Sequence, residues 1–342
     1  MRDEKESDGK LRVYFCITFH IDLSYKERKY PMVTIQEHID LHPLTTFRVG
    51  GKARYFAEAA SEEDVLEALR WAKEKNVSPF ILGGGSNVLF SDRGWDGLIV
   101  KIEIKHLSFE EGGRIRAGAG ASLSAVVEAA KDHGLSGMER LAGIPGTVGG
   151  AVRGNAGAFG AETAHAVSSV RALDRTTLEI REYSKEQCAF SYRMSFFKTH
   201  PELVILETAL TLTPGTPSSE LERVMRDTIA TREQKHPQRL LCAGSFFMNP
   251  SVSKESLRKE FALDTGTPAK DDKIPAGWLI DHVGLRGKEI GGAKVSTIHP
   301  NYIINTGTAT AESILILASV IKQRVRTELG VILREEVHMV GF

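Results

Sequence analysis

Apolar positions recur at helical spacing in five stretches of the chain. Ser61 with Asp64 three positions later makes a capping-box pattern, and Val65, Leu66, Leu69 and Ala72 then mark one face of a helix. Leu123, Val126, Val127 and Ala130 mark a second face, stopped near Gly134. Further helices are predicted over residues 220–232, over residues 276–283 and over residues 311–329, the last ended by Gly330. Short apolar runs at 79–82, 98–102 and 115–118 read as buried strands, and 204–213 and 331–340 alternate with a strand period. Residues 45–56 suit a strand broken by a tight turn at Gly50-Gly51, 293–305 is strand-like, and Asp174-Arg175-Thr176 reads as a hairpin turn.

The punctuation between these elements sets the organisation. Nine glycines fall within residues 134–160, which predicts loops and close backbone approaches, because glycine costs about 1 kcal/mol relative to alanine inside a helix. Pro214-Gly215-Thr216-Pro217 is the clearest boundary, with Ser218 or Ser219 placed to cap the next helix. The pattern gives an α+β chain with a first domain over 32–213, a second over 214–310 and a C-terminal helix and strand over 311–342. Residues 1–31 lack the order of a signal peptide and read as an N-terminal extension on which no functional assignment rests.

Composition narrows the function classes. Of 342 residues, 44 are basic and 44 acidic, a balance that argues against a nucleic-acid scaffold or a polybasic membrane binder. Three cysteines without close spacing indicate neither a disulfide framework nor a zinc site, and suit a reducing cytoplasm. The apolar run at 314–321 is far short of the roughly 20 residues that span a bilayer, so no membrane insertion is expected. The eleven histidines show no metal spacing, so no metal is expected.

Candidate chemistry begins in the glycines. Gly83-Gly84-Gly85-Ser86-Asn87 follows a strand directly and offers consecutive backbone N–H groups, which suits a diphosphate; a plain tight turn is the alternative. The stretch from Ile144-Pro145-Gly146 through Gly149-Gly150 to Asn155-Ala156-Gly157 suits a flat ring or a diphosphate, against a packed Ω-like loop. Gly118-Ala119-Gly120 begins like a dinucleotide fingerprint but has Leu123 where the third glycine belongs, and no P-loop occurs. Arg193, next to Tyr192, carries a rigid fork of donors suited to carboxylate or phosphate, and a surface arginine is the commoner outcome. Ser245 is a small hydroxyl between a glycine and two aromatics, without a nucleophile-elbow motif. Alternation places Glu336 with Ile332, Arg334 and His338 on one face of the terminal strand, a solvated face by default. His236, His282 and His299 are structural or exposed by default.

Read in order, TTFRVGGKARYF, LGGGSNVLFSDRGWDGLIVKI, GMERLAGIPGTVGGAVRGNAGAFG, FSYRMSFFK, KHPQRLLCAGSFFMNP, AGWLIDHVGLRGKEIGGAKVSTIHPNYIINTG and GVILREEV resemble the UDP-N-acetylenolpyruvoylglucosamine reductases, over nearly all of the chain after Met32. The resemblance implies a vanillyl-alcohol-oxidase-type FAD-binding domain of two α+β subdomains split near residue 103, a smaller α+β substrate domain, and a C-terminal segment returning toward the flavin. FAD is expected to be non-covalent, on Gly83, Gly84, Gly85, Ser86, Asn87, Val88, Gly143, Ile144, Pro145, Gly146, Gly149, Gly150, Asn155 and Gly157. NADPH is the implied hydride donor and UDP-N-acetylglucosamine enolpyruvate the implied substrate. By motif position Ser245 is the proton donor, Arg193 and Glu336 flank the carboxylate and developing enolate, and Tyr192, Lys235 and Asn249 face the nucleotide sugar. A monomeric cytoplasmic enzyme of the shorter subtype is implied, with no nucleic-acid partner.

The chain departs from the family pattern at Met194 and Met248, where charged residues are usual, and at Cys242, where a small polar residue is common. Two other classes are consistent with the residues: a flavin oxidase of the same superfamily acting on an alcohol or sugar, and a non-catalytic FAD or nucleotide-sugar binding protein.

Overall fold

The computed structural model describes residues 33–235 and 240–342, so the expected N-terminal extension and His236 lie outside the described residues. The strand Lys52–Ala59 anchors a four-stranded sheet. It pairs antiparallel with Gln36–Asp40 and parallel with Trp95–Ile102, and Trp95–Ile102 pairs parallel with Pro79–Leu82. Helix α1, Glu62–Glu74, crosses over this sheet with Val65, Ala68, Leu69 and Ala72 buried. Its capping box forms as read: the Asp64 N–H donates to the Ser61 hydroxyl at 3.1 Å, and the Ser61 N–H donates to the Asp64 carboxylate at 3.0 Å.

A second sheet of five antiparallel strands runs in the order Ile180–Ser184, Val167–Asp174, Leu203–Thr211, Arg114–Gly118, Leu107–Glu110. Helices α2, Leu123–Asp132, and α3, Val148–Gly154, accompany it, with Val126, Val127, Val148 and Val152 buried in the core that both sheets share. Gly118 and Gly120 serve this packing: a Cβ on either would lie 2.3 and 2.6 Å from the carbonyls of Ile104 and Ile102. The fingerprint-like glycines are thus a close crossing of two strands. Arg171 on the second sheet pairs with Glu62 at the start of α1 at 2.9 Å, tying the two sheets together.

The short α4, Phe196–Thr199, precedes Leu203–Thr211, and α5, Ser218–Lys235, follows Pro217. Although α5 lies beyond the boundary read at 214, its Met225 is buried in the first core. A second core gathers α6, Glu255–Thr265, α7, Ala276–His282, a three-stranded sheet (Glu289–Ile290, Ala293–Val295, Ile303–Asn305) and α8, Ala311–Leu329, together with Phe47, Val49 and Leu89. The Asp92 carboxylate accepts from the first two N–H groups of α8, Ala311 and Glu312, both at 2.9 Å, which satisfies donors the helix itself cannot. Among the described residues no helix is long and apolar enough to cross a membrane.

Four expectations are corrected. Residues 148–154 form a helix, not a loop, because Thr147 caps it and its glycines permit contact that alanine would block. Residues 331–340 are not one strand: Glu335 bridges Phe247, and only His338–Val340 is a strand, parallel to Val88–Phe90. The chain changes partner between the two pairings. Residues 45–51 wrap as turns and the strand begins at Lys52, since a Cβ on Gly51 would lie 2.3 Å from the Asp92 carbonyl. Finally, 293–305 is a pair of antiparallel strands.

Candidate active site

The two glycine runs, some 60 residues apart in sequence, meet face to face. A Cβ on Gly84 would stand 2.9 Å from the Cα of Gly146, and one on Gly83 would stand 2.7 Å from the Thr147 hydroxyl. The Ser86 hydroxyl donates to the Pro145 carbonyl at 3.3 Å. Only glycine permits this approach, and the result is one continuous surface of backbone with Gly84, Asn87, Pro145 and Gly150 exposed. Asn87 reaches from that surface to the chain end: its Nδ2 donates to the Glu336 carbonyl at 3.1 Å, and the His338 N–H donates to the Asn87 carbonyl at 3.0 Å.

Arg193 and Glu336 form an ion pair at the edge of this surface, with Arg193 Nε 2.8 Å from Glu336 Oε1 and side chains only 21 and 17 % exposed. The Arg193 backbone is left-handed, at φ 57°, and its Nη2 donates to the Gly157 carbonyl at 2.7 Å. A non-glycine residue held there by Glu336 and the Gly157 carbonyl is a constrained side chain rather than a surface arginine. Glu336 is not on a solvated face. The switch of strand partner after Glu335 turns it inward, where burial pushes its carboxyl above the ordinary range against the pull of Arg193 and Lys198.

Ser245 is positioned by its neighbours. The buried Asn301 holds the next two residues: its carbonyl accepts from Phe246 N–H at 2.7 Å, its Oδ1 accepts from Phe247 N–H at 3.0 Å, and its Nδ2 donates to the Phe247 carbonyl at 2.8 Å. Ser245 itself hydrogen bonds Tyr302, whose phenol burial pushes up to about 12 and which lies in electrostatic range of Cys242, Arg232 and Glu336. The Tyr192 ring has two cations over it, the Arg193 guanidinium at 5.2 Å and Lys273 Nζ at 4.1 Å from its centroid, and its hydroxyl meets the Asn249 backbone. Asn249 Oδ1 accepts from Ala276 N–H at 3.0 Å, at the start of α7.

Two expected site residues differ from the others in their surroundings. Asn155 is fully buried, with its amide donating to Glu162 at 2.8 Å and to the Ser191 carbonyl at 2.9 Å, and its Oδ1 accepting from Ala164 N–H. It shapes the loop rather than lining it. Lys235 ends α5, exposed, and among the described residues no hydrogen bond or ion pair joins it to the other candidates. His282 stacks on Trp278, and His299 Nδ1 accepts from the Asn301 N–H that follows it, both structural roles.

The structure adds cations that the sequence reading passed over. Lys198 Nζ donates to the Arg193 carbonyl at 2.8 Å, and burial lowers both Lys198 and Arg153 from their ordinary values. Both stand inside the quoted glycine-rich and Tyr-Arg motifs, where basic residues within an apolar, glycine-dense context were the available signal. Arg232 on α5 is buried as well, and among the described residues its Nε and Nη2 have no hydrogen-bond partner.

Comparison with known proteins follows this geometry. Residues 236–340 match the UDP-N-acetylenolpyruvoylglucosamine reductase C-terminal domain, and residues 53–181 match an FAD binding domain. UDP-N-acetylenolpyruvoylglucosamine reductase of Solibacter usitatus is 37% identical over 311 residues, 91% of this chain and 98% of that protein. The enzyme of the same description from Synechococcus sp. (strain WH7803) is 36% identical over 313 residues, 90% of this chain and 94% of that one. The crystal structure of UDP-N-acetylenolpyruvylglucosamine reductase from Thermus caldophilus superposes with a TM-score of 0.71 at 30% identity, covering 91% of this chain and all of that one. With both halves of the fold matched and near-complete coverage of its relatives, the chain belongs to the UDP-N-acetylenolpyruvoylglucosamine reductase family.

Proposed function

We propose that this chain reduces UDP-N-acetylglucosamine enolpyruvate to UDP-N-acetylmuramate at the expense of NADPH, a step of peptidoglycan precursor synthesis. The observation that carries the reading is the Arg193–Glu336 pair at 2.8 Å, set at the edge of the surface where the two glycine runs meet. The reading takes residues 32–213 as the flavin-binding part, 214–310 as the substrate part and 311–342 as the returning segment.

The residues present fit FAD. Gly83, Gly84, Gly85, Ser86, Asn87 and Val88, with Gly143, Ile144, Pro145, Gly146, Gly149, Gly150 and Gly157, offer bare backbone for a diphosphate and a ring, while Asn155 fixes their loop. Bound there without a covalent link, FAD would supply the two-electron chemistry that links NADPH to the terminal carbon of the enolpyruvyl group.

The rest is work for the protein's own side chains. Arg193 and Glu336 flank the substrate carboxylate, and the guanidinium stabilises the negative charge that develops as an enolate beside it. Ser245 then delivers a proton to the neighbouring carbon. A serine hydroxyl is a weak acid, so this works only against a strongly basic centre and with the hydroxyl oriented, which its hydrogen bond to Tyr302 does. Tyr192, Lys235 and Asn249 receive the nucleotide sugar. The enzyme works in the cytoplasm as a monomer.

The test is Ser245→Ala followed by stopped flow. NADPH is expected to bleach the bound flavin at the wild-type rate, and reoxidation by the enolpyruvyl substrate is expected to slow on the order of 10² to 10⁴-fold. Reoxidation at the wild-type rate would remove Ser245 from the proton-donor role. Flavin that stays with acid-precipitated protein would instead favour a covalent flavin oxidase.

A further inference from the structure

Arg193 stands in a tight turn that the chain pins from several sides. The Ser191 N–H donates to the Met194 carbonyl at 3.1 Å, and the Met194 N–H donates to the Ser191 carbonyl at 3.0 Å. Asn155 Nδ2 donates to the same Ser191 carbonyl at 2.9 Å, and the buried Ser195 hydroxyl donates to the Arg153 carbonyl at 2.7 Å. Between these anchors Arg193 takes φ 57°, a region that residues with a side chain rarely enter. Its carbonyl accepts from Lys198 Nζ at 2.8 Å.

The short α4 places that lysine. Phe197 is fully buried, the Phe196 N–H donates to the Cys188 carbonyl at 2.8 Å, and the Lys198 N–H donates to the Ser195 carbonyl at 3.1 Å. The Lys198 stem therefore starts from a fixed backbone and returns five residues to Arg193.

A neutral donor would satisfy one carbonyl, so the use of an ammonium asks for a reason. Burial lowers Lys198 from its ordinary value, Glu336 offsets part of that, and Arg153 and Arg193 lower it further. The attracting carboxylate is bonded to Arg193 Nε at 2.8 Å, while Arg193 Nη2 is committed to the Gly157 carbonyl at 2.7 Å. Lys198 thus grips the arginine by its backbone and draws on the same carboxylate that grips its side chain. With Nε and Nη2 both committed, Nη1 is the nitrogen left to meet a ligand oxygen.

We propose that Lys198 is a positioning residue of this site: its ammonium holds Arg193 in the left-handed conformation and so aims the guanidinium at the substrate anion. This deepens the function proposed above and rests on it.

Lys198→Met, Lys198→Gln and Lys198→Arg, each as the FAD-loaded protein, test the assignment by stopped flow. In Lys198→Met the limiting rate of flavin reoxidation by the enolpyruvyl substrate is expected to fall on the order of 10²-fold relative to the rate of reduction by NADPH, the scale of loss for a group misplaced by about 1 Å. The substrate concentration giving half that rate should move by less than roughly tenfold. Lys198→Arg keeps charge and donor and is expected to recover most of the loss; Lys198→Gln keeps only a donor and should recover less. Wild-type reoxidation in Lys198→Met would overturn the proposal. So would equal slowing of both half-reactions that arginine does not rescue, which would make the lysine purely structural. A rise in the half-saturating concentration at an unchanged limiting rate would make it a substrate contact, which also overturns the proposal. If Lys198→Met does not fold, the other two variants carry the comparison, and equal reoxidation rates in them would overturn it. Wild-type protein whose reduced flavin the enolpyruvyl sugar leaves unoxidised would instead overturn the function proposed above, before any variant is compared.

Discussion

Glu336 shows how burial and function oppose each other in one side chain. Burial raises its carboxyl above the ordinary value of 4.5, and Arg193 and Lys198 only partly offset that. A carboxyl raised in the folded state contributes stability that is fully present below 4.5 and is lost as pH rises through the folded value. Glu336→Gln cannot ionise. It is therefore expected to melt no lower than wild type at neutral pH, with any advantage shrinking as acid protonates the native carboxyl, while turnover falls on the order of 10²-fold. Melting and turnover measured together across pH check this; undiminished turnover would take Glu336 out of the chemistry. Motif order brought out Arg193, Ser245 and Glu336, but the strand period misplaced Glu336. Val331, Leu333 and Val337 are buried and Ile332 is 65% exposed, as alternation requires. What alternation does not encode is the exchange of partners after Glu335, which turns the next side chain inward.

Helix α3 makes the corresponding point for an element. Its glycine content predicts a loop, yet Val148, Ala151 and Val152 are buried at helical spacing and the Thr147 hydroxyl accepts from Gly150 N–H at 3.4 Å. The signal was present and was outweighed by propensity, which tertiary contact overrides. Gly149 shows the reason, because a Cβ there would lie 2.8 Å from the Cβ of Ala119, while at Gly154 nothing lies within 4 Å. Gly149→Ala is expected to destabilise by about 1–2 kcal/mol, overpacking winning over the helix-propensity gain, and to weaken FAD binding. Gly154→Ala should be neutral or stabilise by up to about 1 kcal/mol. Denaturant melts of both variants check the pair; equal effects would mean that propensity alone governs α3. Where the stripe was long and capped, as in α1, α2 and α8, the sequence reading and the structure agree closely, since many side chains then report one period.

At the scale of the molecule the site is assembled from chain ends that lie far apart. The glycine turn touches Glu336 through Asn87, Asp92 holds the start of α8, and Asn305 Nδ2 donates to the Phe47 carbonyl at 3.0 Å. Such contacts are invisible to local pattern, which is why the α+β class and the order of elements could be read while the meeting of the glycine runs and the cations Lys198, Arg153 and Arg232 could not. The resemblance supplied the long-range order that periodicity lacks. It also located the departures at Met194 and Met248, which leave Arg193, Ser245 and Glu336 in place.

The central claim is that one cleft accepts a hydride from NADPH and passes it to an enolpyruvyl sugar. An anaerobic flavin absorbance trace tests it directly, with NADPH added first and the UDP-linked enolpyruvyl sugar second in the same cuvette. The account predicts bleaching on the first addition and full recovery of the flavin band on the second. Bleaching without recovery would contradict it, as would a flavin band that NADPH leaves untouched.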